Sequence, residues 1–169
     1  STINNNRWGK AYFSYAPSTG YRDGSGALIN TRLPFVTQTL SRQVLEDSVT
    51  GLKSEENYSY SGWHYYYDAS DIWGREYVGF SEVTVTDEKT RQILSFHQSQ
   101  TADKNPLKMD DDILKKWRLY LTRIYEKSSG KPLSWSYTRY LLRAVTPTRK
   151  LVYPAYQLER TFDVSNSNT

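Results

Sequence analysis

The 169-residue chain has no cysteine, one methionine and two histidines. Without cysteine there is no disulfide scaffold, no thiolate zinc site, no iron–sulfur cluster and no cysteine nucleophile. The compartment stays open, because a chain free of cysteine is equally at home in reducing and oxidising spaces. Long hydrophobic runs are missing too. Nothing approaches the roughly 20 consecutive apolar residues of a membrane helix, so no membrane span is expected. Ser1 to Lys10 lacks the charged-then-apolar order of a signal peptide, so any export signal is expected outside this chain. An excess of one charge is also slight, at 22 basic against 18 acidic residues. Basic residues outnumber acidic ones locally only over Lys115 to Arg123 and Arg139 to Lys150, which argues against nucleic acid as a partner.

The usual catalytic and ligand-binding patterns are absent as well. His64 and His97 stand singly, with no second ligand at metal spacing, and read as packed or solvated side chains. Asp110-Asp111-Asp112 and Asp68-Ala69-Ser70-Asp71 lack the alternating oxygen ligands, glycine and closing glutamate of a calcium loop. Gly24-Ser25-Gly26 is too short for a nucleophile turn, and no glycine-rich phosphate loop occurs. No catalytic residue, cofactor or metal is expected, and no enzymatic activity.

What the chain does have is aromatic residues, with 15 tyrosines, 5 tryptophans and 5 phenylalanines. Such side chains fit a pleated, half-buried surface, and they supply enough burial to offset a mean hydropathy of −0.74. Alternation marks strands at Tyr12–Ala16, Leu33–Glu46, Glu55–Tyr60, Trp73–Val85, Gln92–Gln98, Leu119–Glu126, Leu133–Leu141 and Tyr156–Phe162. Turn chemistry separates them at Thr50-Gly51, Asp87–Arg91 and Ser128-Ser129-Gly130. Pro17, Asn105, Pro106, Pro147 and Pro154 read as loop residues. Neither face of Trp73–Val85 is cleanly polar, so this strand is expected to be covered on one face and touched by a long loop or a neighbouring sheet on the other. Asp110 to Ile124 has helical spacing, but the strict alternation after the Ser-Ser-Gly turn favours a strand, leaving at most one helical turn near Asp110–Lys116. The predicted class is all-β: antiparallel strands and hairpins forming a twisted sheet, as a single β-rich domain or a fragment of one over 1–169, with a frayed tail at 164–169.

Two features carry binding potential. Trp63, Tyr65, Tyr66, Tyr67 and Trp73 form an aromatic cluster; rings on strands usually pack, and the ligand reading is a face that stacks on sugars. Lys115, Lys116, Arg118 and Arg123, interleaved with Trp117 and Tyr120, offer a phosphate-binding alternative to an ordinary solvated face.

Several short motifs follow one another in a fixed order: Leu33-Pro34-Phe35; Tyr58-Ser59-Tyr60-Ser61-Gly62; Arg75-Glu76-Tyr77-Val78-Gly79-Phe80; Phe96-His97-Gln98. With Tyr15–Thr19 before them and Ser129-Gly130-Lys131 after, this series resembles the middle region of the B component of insecticidal toxin complexes and of related Rhs (YD-repeat) and virulence-plasmid B-type proteins. Val36-Thr37 stands where the family has a second proline.

The resemblance implies a non-catalytic strip of β-sheet from a large hollow shell. Its partners would be the remainder of the shell protein, the other toxin-complex components and an enclosed toxin polypeptide, in an assembly that is secreted or carried on the bacterial surface. The motif residues would then be wall residues, with Gly79 permitting a bend or close backbone approach and Phe80 filling the neighbouring space. Beside it stands a reading from the aromatic content alone: a free-standing β-sandwich binding carbohydrate through Trp63, Tyr65, Tyr67 and Trp73.

Overall fold

The alternating segments form nine strands: β1 (Thr2–Asn4), β2 (Gly9–Pro17), β3 (Gln38–Asp47), β4 (Lys53–Tyr67), β5 (Arg75–Thr86), β6 (Thr90–Phe96), β7 (Leu119–Glu126), β8 (Pro132–Ala144) and β9 (Lys150–Thr161). The structure, a computed structural model, describes residues 1–4, 9–30, 35–67, 75–98 and 112–162. Each strand pairs antiparallel with the next, so spatial order equals chain order and the result is one open meander sheet. The class is all-β and antiparallel, as expected. Among the described residues the one helical element is the 3₁₀ turn Ile113–Lys115. Its cap is Asp112, whose carboxylate accepts from the Leu114 N–H. Asp110 and Asp111 lie outside the described residues.

The strand bounds differ from the sequence reading in instructive places. β1 was not expected, because three residues are too short for a visible alternation. β3 begins at Gln38 instead of Leu33: the Ser18 N–H donates to the Thr37 carbonyl and the Ser18 hydroxyl accepts from the Thr37 N–H, so Thr37 closes the base of a loop. Leu33 and Pro34 lie outside the described residues. β4 runs on to Tyr67, taking Trp63 and Tyr65 into the ladder with β5. Pro154, expected in a loop, sits inside β9. There the register shifts between Arg139 and Tyr140, on an edge strand, where a missing N–H is tolerated. Trp73, the loop 68–71, Asn105, Pro106 and the tail at 164–169 lie outside the described residues.

Two hairpins use the same turn device. Asp47 accepts from the Val49 N–H and the Thr50 hydroxyl, and Asp87 accepts from the Lys89 N–H and the Thr90 hydroxyl. These bonds to the ionised form hold both carboxyls below their ordinary range. The Asp-x-x-Thr spacing thus closes the β3–β4 and β5–β6 connections from within four residues.

The sheet has little core of its own. Among the described residues the buried hydrophobic side chains are Tyr21, Val44, Val78 and Tyr120. The chain exposes 11764 Å², where a compact chain of its mass would expose roughly 8,600 Å². Five register shifts interrupt the ladders, each adding a residue to one strand and sharpening the local twist. Burial concentrates where two non-strand stretches, the described residues 18–30 with 35–37 and residues 112–118, pack against the middle of the sheet.

Candidate functional site

The middle of the sheet brings together motifs that are far apart in the sequence. β4 and β5 carry Tyr58-x-Tyr60-x-Gly62 and Arg75-Glu76-Tyr77-x-Gly79-Phe80, and their pairing opposes Trp63 to Phe80 and Tyr65 to Tyr77. The register slips by one residue between those pairs, so Val78 and Gly79 together oppose His64. Gly79 has φ +82° and Gly62 has φ +66°, both in the left-handed region that a side chain disfavours. Space is short as well. A Cβ on Gly62 would stand 1.9 Å from the Ser81 Oγ, and one on Gly79 would stand 3.1 Å from the Trp117 Nε1.

Gln98 ties the two glycines together. Its Nε2 donates to the Gly62 carbonyl at 2.9 Å and to the Gly79 carbonyl at 2.7 Å. The side chain is 1% exposed, so these bonds form where water cannot substitute for them. The amide of the Phe-His-Gln motif thus donates to one carbonyl on each strand of the distorted pair. His97 beside it is buried, its ring 4.6 Å from that of Tyr120 and 5.9 Å from that of Tyr140.

A row of rings extends from the same place. Phe35 meets Tyr77 edge-on at 5.0 Å, Tyr77 meets Phe80 at 6.2 Å, Phe80 meets Tyr60 at 5.2 Å and Tyr60 meets Tyr21 at 5.3 Å. Such tilted contacts set ring edges on ring faces, the favourable arrangement for aromatic quadrupoles. Burial pushes the Tyr77 hydroxyl up to about 12 and raises that of Tyr60. Tyr58 is pushed up to about 12 by burial and by donating to Glu56. The segment carrying Tyr21 and Phe35 is anchored by Asn30, fully buried, whose Nδ2 donates to the carbonyls of Ser18 and Tyr60, each at 2.9 Å.

Successive strand residues point to opposite faces. Tyr77 contacts Phe35 of the first segment, and Glu76 pairs with Lys116 of the second. β5 is therefore held on both faces, by a loop on each, which matches the expectation for its two-sided pattern. Trp117 takes a left-handed conformation, φ 62°, that sets its ring against Gly79. The segment is fixed to β6 by the His97 N–H to the Arg118 carbonyl and the Trp117 N–H to the His97 carbonyl, both 3.0 Å.

Of the expected motif residues, Phe35, Tyr60, Gly62, Tyr77, Gly79, Phe80 and Gln98 thus share one junction, with Glu76 and His97 at its margin. Tyr58 stands one turn of the pleat away on β4, and Arg75 opens β5 opposite Tyr67. Asn30 was not singled out from sequence, Ser18 entered only within the Tyr15–Thr19 motif, and Trp117 only as a ring among the basic residues 115–123. A lone asparagine in a loop carries no signal of its two carbonyl partners, and a left-handed tryptophan has no sequence mark. The proposed sugar face does not stand apart: the cross-strand partners of Trp63 and Tyr65 are themselves rings of the junction, while the Tyr67 side chain and Trp73 lie outside the described residues. The basic set is dispersed, with Lys115 buried, Lys116 paired to Glu76, Arg118 over the Tyr140 ring and Arg123 paired to Glu82. Among the described residues no three histidine or acidic side chains gather as a metal site.

Residues 1–105 match the family described as the insecticide toxin TcdB middle/N-terminal region. That span includes every motif from Phe35 to Gln98. No curated protein matches the chain. The carbohydrate-binding sandwich finds no support, since the described residues make a single layer.

Proposed function

From the premise that this chain belongs to the insecticide toxin TcdB middle/N-terminal family, we propose that it is a wall segment of a toxin-complex shell that encloses a toxin polypeptide and holds it until delivery. The observation that carries this reading is the open, single-layer sheet with apolar side chains on both faces and far more surface than a compact chain of its mass. An independent domain buries one face of its sheet under a second layer. A wall has two faces to present, one inward and one outward, and continues along its edges. β9 fits such continuation, being twelve residues long and, among the described residues, paired with β8 alone.

The role is non-catalytic in this reading, and its residues act by holding geometry. Gln98, Gly62 and Gly79 fix a distortion between β4 and β5, and the two loops stiffen that point of the sheet. Other toxin-complex components are the partners, with the rest of the shell protein joined at the sheet edges. Delivery requires the assembly to leave the producing cell, so the wall works outside it.

The test is electron cryo-microscopy of the native assembly, together with protease protection of its cargo. The nine-stranded sheet should lie in a closed wall with density inside, and the enclosed polypeptide should resist protease until the wall is opened. A sheet found as an appendage on the outside of the assembly, or cargo digested at the rate of the free polypeptide, would overturn the reading.

A further inference from the structure

Cross-strand partners share a face of a sheet, so the registers can be followed as rows from β5 to β9. One row is Thr84, Ile93, Arg123, Trp135 and Arg160; the next is Thr86, Arg91, Tyr125 and Pro132. Arg139 and Arg143 stand four and eight residues beyond Trp135 on β8 and so share its face. Every arginine of β6 to β9 is on this side. The carboxylates of the same strands are on the other: Glu126 follows Tyr125, and Glu159 pairs with Ser136, the neighbour of Trp135. Glu82 of β5 reaches the arginine face and is taken by Arg123 at 2.7 Å. Arg91, Arg139, Arg143 and Arg160 are exposed and, among the described residues, have no carboxylate partner.

On the same face lies an open groove of about 620 Å³, lined by Arg123 and chiefly by Leu121, Tyr125, Trp135, Tyr137 and Phe162. That volume is ample for large apolar side chains. Two of its rings are already covered on a face, since the Arg91 guanidinium lies 5.3 Å from the centre of Tyr125 and that of Arg160 lies 5.0 Å from the centre of Phe162. A guanidinium laid on a ring keeps its N–H edges free, the arrangement that accepts a carboxylate through two parallel bonds. A nucleic-acid base needs the open ring face that those arginines occupy. A second copy of the same face would bring arginine against arginine.

We infer that this face of β6 to β9 docks an acidic, apolar stretch of a second polypeptide, with a large side chain in the groove and carboxylates on Arg91, Arg139 and Arg160. This inference does not depend on the wall reading, because it rests on the charge and the groove of one face of β6 to β9, which the polymer titration reads whether or not the sheet is part of a wall.

The full chain is titrated, by fluorescence anisotropy, with a glutamate–tyrosine copolymer, with polyglutamate and with oligothymidylate of matched charge. The copolymer should bind about tenfold or more tighter than either other polyanion, because it alone supplies carboxylates and rings together. Arg139→Glu combined with Arg160→Glu should weaken the copolymer about tenfold or more at an unchanged melting temperature, and Trp135→Ala should weaken it independently. Equal binding of all three polymers, preference for oligothymidylate, or copolymer binding that ignores the arginine reversal would each overturn the inference. So would self-association of the chain that the arginine reversal abolishes. The surface reversal keeps the test decisive even where Trp135→Ala impairs folding.

Discussion

β4 with β5 and β8 with β9 are both long antiparallel pairs rich in tyrosine, yet they live in different surroundings. In the first pair Val78 is fully buried, Gln98 from beyond β6 is buried against it, two loops press on β5 from opposite faces, and five rings touch in series. In the second, β9 is exposed along most of its length, and Leu151, Tyr156 and Leu158 each keep about half of their surface in solvent. Strand chemistry does not separate the two. What differs is the supply of non-strand segments, because a single sheet has no second layer and only its loops can cover it. The first region is covered by loops of its own chain, and the second leaves its strands open.

The comparison breaks most sharply at Gln98. Gln98→Leu keeps the volume but leaves two carbonyls without their donor, and should destabilise the chain by about 2–4 kcal/mol, read as a lowered midpoint in urea. A matched loss of an amide in the open region, Gln157→Ala, should stay within about 0.5 kcal/mol. If the two substitutions act alike, the covered-versus-open distinction is wrong.

Gly62→Ala comes next. The left-handed backbone disfavours any side chain by about 1–2 kcal/mol, and the Ser81 hydroxyl already fills the space the new methyl needs. Adding Ser81→Gly should recover the steric part and leave the backbone part. Gly79→Val should likewise lower folded yield and melting temperature; unchanged melting would contradict the role given to Gly79.

Tyr77 sharpens the comparison by pH. Its folded hydroxyl titrates at about 12, against about 10 when unfolded, so the fold binds this proton more tightly. The stabilisation is complete below pH 10 and is lost as pH rises from about 10 to 12. Its hydroxyl is buried without a hydrogen-bond partner among the described residues, so Tyr77→Phe should be neutral or stabilising by up to about 1 kcal/mol at pH 7. It should also flatten the alkaline loss, with Tyr58 responsible for what remains in the same window. A steeper alkaline loss in Tyr77→Phe would refute this.

The smallest effect is expected at the exposed Arg42–Glu55 pair, whose two bonds hold the Glu55 carboxyl at about 2. Its contribution is present above the ordinary value of 4.5 and fades as pH falls from there toward 2. Arg42→Ala should remove only this gentle acid-side slope, with the neutral-pH midpoint nearly unmoved.

Much of the strand layout was legible because period-two alternation and turn chemistry are local properties. The bounds of β7 were read as they stand, and Gly51 and Gly130 have the positive φ their turns require. Failures fell where a distant partner decides. Thr37 left its strand for Ser18, and Pro154 was accommodated by a bulge on an edge. The motif series disclosed that Phe35, Tyr60, Gly62, Tyr77, Gly79, Phe80 and Gln98 belong to one family pattern without disclosing that they touch.

By itself, the sequence determined the all-β class, the antiparallel hairpins and the family, since all three rest on residue order and on spacing within a few residues. Tertiary structure alone decided that Gln98 bridges the carbonyls of Gly62 and Gly79, that β5 is held from both sides, and that the arginines of β6 to β9 gather on one face. Each of these depends on register. A slip of one residue between two strands turns a side chain to the opposite face, and no local pattern records which register long-range packing will select.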